Sequence, residues 1–128
     1  MKYLLDTQAY LLLLEQDPEL SPKANKAVEN PKAEIFISIV SFWEMAVKIN
    51  IGKLQLKASL QEIIQSSITS GGLSVLPVLI EHIIGLGSLP LHHRDPFDRL
   101  LLSQAKHEGM ALISGDRAFD RYGVERIW

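Results

Sequence analysis

Residues 92–116 read HHRDPFDRLLLSQAKHEGMALISGD, and this stretch decides the fold class. Asp95-Pro96 has the form of an N-cap acid followed by a proline at the first helical position, where the missing N–H is not needed and φ is already set. Asp98 then falls in the first turn, where negative charge favours the helix dipole. Leu100, Leu101, Gln104 and Ala105 carry the helix onward, and Gly109 closes it. Met110–Ser114 reads as a short strand, apolar on both sides of the pleat, and Asp116 follows it through Ser114-Gly115. A helix that feeds such a strand is one unit of a parallel α/β sheet.

The same alternation extends outward in both directions. Tyr3–Leu5, Glu34–Ser38, Ser74–Pro77 and Val124–Trp128 are further candidate strands, short and apolar. Ser21-Pro22 reads as N-cap and first-turn proline of a helix running to about Asn30. Leu60, Ile63, Ile64 and Ile68 form an apolar helical stripe that ends at Gly71-Gly72. About five strands with helices between them predict one α/β domain over residues 1–128, with helices on both faces of a parallel sheet.

In such sheets ligands sit beyond the carboxyl ends of the strands. Acids fall there. Asp6 directly follows the first strand, Glu44 lies in the helix after the second, Asp95 and Asp98 open the helix before the fourth, and Asp116 follows the fourth. Each has a local use as well. Asp6 can cap the next helix, Ser41 and Glu44 fit a capping box, Asp95 is an N-cap, and Asp116 can cap a short helix over Arg117–Tyr122. As a group they repel: two charges about 4 Å apart interact by roughly 4 kcal/mol at an effective dielectric near 20. A cation among them removes that cost, and oxygen-only ligands suit Mg²⁺ or Mn²⁺. Such ions keep waters that can attack a phosphodiester.

The bulk properties narrow the classes. The chain has no cysteine, which excludes a disulfide framework or a thiolate site. Its 13 Lys plus Arg against 15 Asp plus Glu give a net charge of −2, too acidic to hold nucleic acid by bulk charge alone. All arginines, from Arg94 to Arg126, lie in the last third among acids, while Lys48, Lys53 and Lys57 form a separate basic group. The apolar N-terminus is interrupted by Asp6 and shows no small-residue cleavage site. The uncharged run Ile63–Ile80 is broken by Gly71, Gly72 and Pro77 and does not suit a membrane span. These features predict a soluble cytoplasmic protein.

Other signals are weaker. Adjacent histidines point apart on most backbones, so His92-His93 reads as a poor chelate, either a loop pair near substrate or plain surface. His82 and His107 read as structural or exposed. Gly85-Leu86-Gly87-Ser88 lacks the third glycine of a dinucleotide fingerprint. An aspartyl-phosphate phosphatase needs a second Asp where Gln8 stands.

Four segments carry a resemblance: LLDT (Leu4–Thr7), SIVSFWEMAVKINIGKL (Ser38–Leu54), LPLHHRDPFDRLLLSQA (Leu89–Ala105) and LISGDRAFDRYGV (Leu112–Val124). In order and spacing they resemble the motifs of the PIN-domain family, and more narrowly its VapC-like toxin members. The resemblance implies a three-layer α/β/α fold, a Mg²⁺ or Mn²⁺ site, and RNA cleavage by metal-activated water without a covalent intermediate. It assigns the family's four acids to Asp6, Glu44, Asp98 and Asp116, with Asp120 competing for the last place. Thr7 matches a residue that hydrogen-bonds a water of the metal, and Asp95 matches an acid common in this branch that is also the helix cap. Arg94, Arg99 and Arg117 either neutralise the acids or touch RNA phosphate. A cognate antitoxin and a homodimer are implied partners, and the number of metal ions stays open. The alternative is a catalytically silent PIN-like module that binds RNA or protein. The full set of acids argues against it.

Overall fold

The computed structural model describes all 128 residues. In chain order the elements are β1 (Lys2–Leu5), α1 (Thr7–Leu14), α2 (Pro22–Glu29), β2 (Glu34–Ser38), α3 (Ile39–Asn50), α4 (Leu60–Thr69), β3 (Ser74–Leu76), α5 (Ile80–Gly85), a 3₁₀ turn (Leu86–Ser88), α6 (Pro96–Glu108), β4 (Ala111–Ile113), a second 3₁₀ helix (Arg117–Tyr122) and β5 (Arg126–Ile127). The five strands form one sheet in the order β3-β2-β1-β4-β5, and every neighbouring pair is parallel.

The double-sided apolar character of the strands builds two cores. Leu5 pairs in register with Ile37 and Ile113, and all three face Ala9, Tyr10, Leu12 and Ala24 on one side of the sheet. Leu4 pairs with Phe36 and Leu112 and turns the other way, towards Leu101, Leu102, Ala105 and Phe119. One-residue alternation therefore sends successive side chains to opposite layers, and helices cover both. The predicted three-layer parallel architecture is what the chain adopts. No helix is long and apolar enough to cross a membrane.

The helix punctuation follows the local chemistry. Ser21 caps α2 through Ala24 N–H, with Pro22 at the first position. Asp95 caps α6, and Gly109 ends it in the left-handed conformation at φ 67°.

Two expectations need correction. β2 has the expected bounds and β1 begins one residue earlier, but β3, β4 and β5 are shorter than the apolar runs suggest. The Met110 N–H is still committed to the Ala105 carbonyl at the helix exit, so β4 begins at Ala111. Pro77 has no N–H to give the ladder, and β3 stops at Leu76. The second correction concerns α3. Ser38, the last residue of β2, is its N-cap and accepts from Val40 N–H at 3.0 Å. Ser41 is therefore not a cap, and Glu44 stands beyond the first turn. The S-x-x-E pattern fits a cap wherever a loop precedes it, but here strand passes into helix with no loop between.

Candidate metal centre

The chain leaves β1 to build β2 and β3 on one side, then crosses to β4 and β5 on the other. This reversal opens a crevice above the carboxyl ends of β1 and β4, where parallel sheets bind ligands. Asp6 stands there, its N–H bonded to the Ile113 carbonyl at 3.1 Å. Its Oδ1 accepts from Ala9 N–H at 2.7 Å and caps α1, while its Oδ2 accepts from the Ser114 hydroxyl. Ser114 Oγ in turn accepts from Asp116 N–H at 3.0 Å, so the β1 and β4 exits are tied together.

The other acids reach the same crevice from three elements. Glu44, on α3, is 5% exposed; its Oε2 meets Lys48 Nζ at 2.6 Å, one helical turn on, and its Oε1 is buried with no partner. On α6 the capping is done by Asp95, whose Oδ1 accepts from Phe97 and Asp98 N–H. That leaves the Asp98 carboxylate without a capping duty, and it faces His93. Asp116 caps the second 3₁₀ helix through Oδ1 and turns Oδ2 towards His93.

A cleft of about 540 Å³ results, lined by Asp6, Thr7, Glu44, Asp95, Asp98 and Asp116, with Glu19 as a further acid and Lys48 as the one Lys or Arg. The electrostatic strain is visible in two carboxyls. Burial raises Asp6 to about 6, with repulsion from Asp116 and Glu44 adding to it against the lowering bonds from Ser114 and Ala9. Burial, then Asp95, raises Asp98 to about 7, opposed by His93 and reinforced by Asp6 and Glu44. Lys48 is held above the ordinary lysine range, first by its bond to Glu44 and further by Asp95 and Asp98.

These residues fit a hard divalent cation. The donors are carboxylate oxygens converging from separate elements, and burial together with their mutual repulsion disfavours leaving them charged and unpaired. Glu44 Oε1 is a buried anionic oxygen without a hydrogen bond, an arrangement that costs stability unless something else meets it. Asp98, Asp116 and His93 each offer a ligand-type atom within 4.8 Å of the others.

All four predicted acids and Thr7 line one cleft; Asp95 joins them while also capping its helix. The Thr7 hydroxyl donates to Ser41 Oγ at 2.9 Å. Asp120 is not in the cleft: it forms a two-bond pair with Arg126. The arginines also lie elsewhere. The Arg99 guanidinium is bound to the carbonyls of Leu89, Pro90 and His93, where it fastens the loop before α6. Arg94 lines a separate depression with Leu86, Leu91 and Pro96, and Arg117 does not line the acid cleft. Three residues of the site were not foreseen. Lys48 was visible as the i+4 partner of Glu44. Read with His92 as an adjacent pair, His93 gives no sign in the sequence of its place here. Glu19 carried no signal.

A family model described as PIN domain matches residues 3–125. Among solved structures, the chain is similar to one in a VapBC2 complex from Rickettsia felis bound to a promoter DNA fragment, at 18% identity and a TM-score of 0.73 over 100% of both chains. It is also similar to chains in a DNA-bound VapBC from Salmonella typhimurium (18% identity, TM-score 0.68) and in VapBC-1 from nontypeable Haemophilus influenzae (16% identity, TM-score 0.66), each over 98% of this chain and 96% of the other. At such identities the likeness concerns the fold. No curated protein sequence matches significantly.

Proposed function

Because this chain belongs to the PIN domain family, we propose that it is a divalent-cation-dependent endoribonuclease and the toxin of a toxin–antitoxin pair. The observation that carries the catalytic half is the acid cleft itself, with a buried carboxylate oxygen left unpaired and two carboxyls raised into the neutral range. Asp6, Asp95 and Asp116 also cap helices, but no cap accounts for the Asp98 carboxylate or for the unpaired Glu44 oxygen, and a cation would meet both.

When bound, Mg²⁺ or Mn²⁺ supplies the concentrated positive charge that polarises a phosphodiester and acidifies water. Asp6 and Asp98 would hold the cation, each fixed on a rigid strand or helix end. Glu44 and Asp116 orient the attacking water and accept its proton. The water oxygen bonds to phosphorus as the P–O3′ bond breaks, and the departing O3′ takes up a proton from solvent, which leaves a 5′-phosphate and a 3′-hydroxyl. Thr7 and Asp95 border this site, and Lys48 is the side chain within it suited to RNA phosphate. Arg94, Arg99 and Arg117 remain candidates only for more distant stretches of RNA.

The partner half rests on similar solved structures being VapBC complexes. An acidic cleft suits a cationic side chain offered by a protein tail. The exposed apolar residues Ile80, Ile83 and Ile84 on α5 support a covered face, consistent with an antitoxin or a homodimer. A monomer in light scattering would remove the homodimer.

Purified protein incubated with total cellular RNA and Mg²⁺, Mn²⁺ or EDTA tests the reading. Cutting with either metal, none in EDTA, and 5′-phosphate ends on the products support it. No cutting by folded, inhibitor-free protein in either metal would overturn it in favour of a silent binding module.

A further inference from the structure

We infer that His93 is a positioning residue of this centre: its Nε2–H fixes the carboxylate of Asp116 beside that of Asp98 over the cleft, without itself ligating the cation. The inference rests on the metal-centre reading above and assigns a role that the four acids do not describe.

Histidine in an exposed loop has no reason to be immobilised, yet His93 is fastened on every side. Its main-chain N–H donates to Tyr122 Oη at 2.7 Å, and that hydroxyl donates to the Pro90 carbonyl at 2.9 Å. Its carbonyl accepts from Arg99 Nη1 at 3.2 Å. Its ring lies against Phe119, with centroids 5.6 Å apart and planes 33° from parallel. Its Nδ1 accepts from Asp95 N–H at 3.2 Å. His92 turns the opposite way and packs on Tyr122, so the adjacent pair divides between the site and the surface.

These bonds fix the direction of the free nitrogen. Nε2 points between Asp98 Oδ2, at 3.1 Å, and Asp116 Oδ2, at 3.0 Å. Because Nδ1 accepts a main-chain N–H, the neutral ring carries its proton on Nε2. Nε2 is then the donor to Asp116 Oδ2, with Asp98 Oδ2 in contact beside it, and has no lone pair for a cation. Ligation would require the other tautomer, which sets Nδ1–H against the Asp95 N–H.

Asp116 is the acid that needs such a fixture. Its side chain is 42% exposed, against 22% for Asp98 and 16% for His93. It stands before a short 3₁₀ helix as its N-cap, whereas Asp98 is built into the first turn of α6. The bond from Nε2–H ties Asp116 to a ring that is itself fastened to the start of α6 through Asp95 N–H and Arg99. Partners that orient ligands in this way change metal affinity about 10–100-fold when removed.

The test measures Mn²⁺ binding from the paramagnetic resonance signal of free Mn²⁺, for wild type, His93→Ala and His93→Gln. Nitrogen modulation on the Mn²⁺-loaded wild type and the imidazole ¹⁵N–¹H spectrum of the cation-free protein complete it. We expect about 10–100-fold weaker binding in His93→Ala. His93→Gln should recover much of the loss, since its carboxamide offers an N–H at comparable reach. The spectra should show a protonated Nε2 and no nitrogen bound directly to Mn²⁺. Unchanged affinity in His93→Ala, with wild type binding normally, would overturn the inference and leave the metal centre standing. So would a directly bound nitrogen, which would make His93 a ligand. A wild type that binds no Mn²⁺ would overturn both. Should His93→Ala fail to fold, His93→Gln and the wild-type spectra still decide between donor and ligand.

Discussion

Around His82 nearly every polar group is matched. The ring is fully buried; Nδ1 accepts from Leu79 N–H, Nε2 meets Glu108 Oε2 at 3.2 Å, and the carbonyl accepts from Ser103 Oγ. Beside it Gln104 donates to the Pro77 carbonyl and accepts from Ser38 Oγ at 2.6 Å. Ser38 also caps α3, so the network joins β2, α3, α5 and α6 into one frame. The acid cleft contrasts with this at each point. Its acids are alike in charge, burial pushes the carboxyls of Asp6 and Asp98 well above the ordinary range, and one Glu44 oxygen has no partner. Satisfied polar networks specify a fold, whereas unsatisfied like charges persist where something outside the chain completes them. The difference separates the part of the molecule that keeps the shape from the part that uses it.

Substitutions should divide along the same line. The largest effect is expected from Asp98→Asn, which should reduce RNA cleavage by several orders of magnitude, read as initial rates in Mn²⁺, because a cation-holding charge is lost. Gln104→Ala should do the reverse. It leaves the Ser38 hydroxyl and the Pro77 carbonyl unmatched and opens a cavity, for a loss of about 2–4 kcal/mol in urea denaturation. Cleavage per folded molecule should stay unchanged. A Gln104→Ala protein that is stable but inactive would break the division.

The dependence on pH sharpens it. Asp6 and Asp98 have folded values above the unfolded carboxylate value, so the folded state binds more protons in between. Their contribution is fully present below the unfolded value of 3.8 and is lost as pH rises through about 6 and about 7. Each group adds a slope of up to about 1.4 kcal/mol per pH unit within its window. In EDTA the urea midpoint should therefore fall between pH 5 and pH 7.5, and fall less in Asp98→Asn. Saturating Mn²⁺ should offset the fall, since a cation replaces the protons. The smallest effect is expected from Asp120→Asn, whose exposed pair with Arg126 lies outside the cleft. Neither cleavage nor melting should change measurably.

The legible parts of the sequence were those in which one residue type has one local use. Asp95-Pro96 and Gly109 bound α6 as read, and Ser21-Pro22 opens α2, because caps and first-turn prolines act within a single turn. The acids were legible because strand ends announce where a parallel sheet gathers its loops. What escaped depends on tertiary placement. The start of α3 was misassigned because Ser38 and Ser41 are equally good caps in sequence, and only the loop-free strand–helix junction chooses Ser38. The pattern before Gly85 reads as helical, but nothing local marks where α5 starts, since its N-cap is the apolar Leu79 and its first turn is held by His82. His93 could not be separated from His92 before Phe119, Tyr122 and Arg99 were seen to orient it.

The most direct test compares the melting temperatures of wild type and Asp98→Asn, first in EDTA and then in saturating Mn²⁺. If the acid cluster exists to be completed by a cation, Asp98→Asn melts at or above wild type in EDTA. In Mn²⁺ the order reverses, with wild type gaining about 2.7 kcal/mol at a hundredfold excess over its dissociation constant. A wild type that melts well above Asp98→Asn in EDTA and does not respond to Mn²⁺ would contradict it, and would make Asp98 a structural residue of α6.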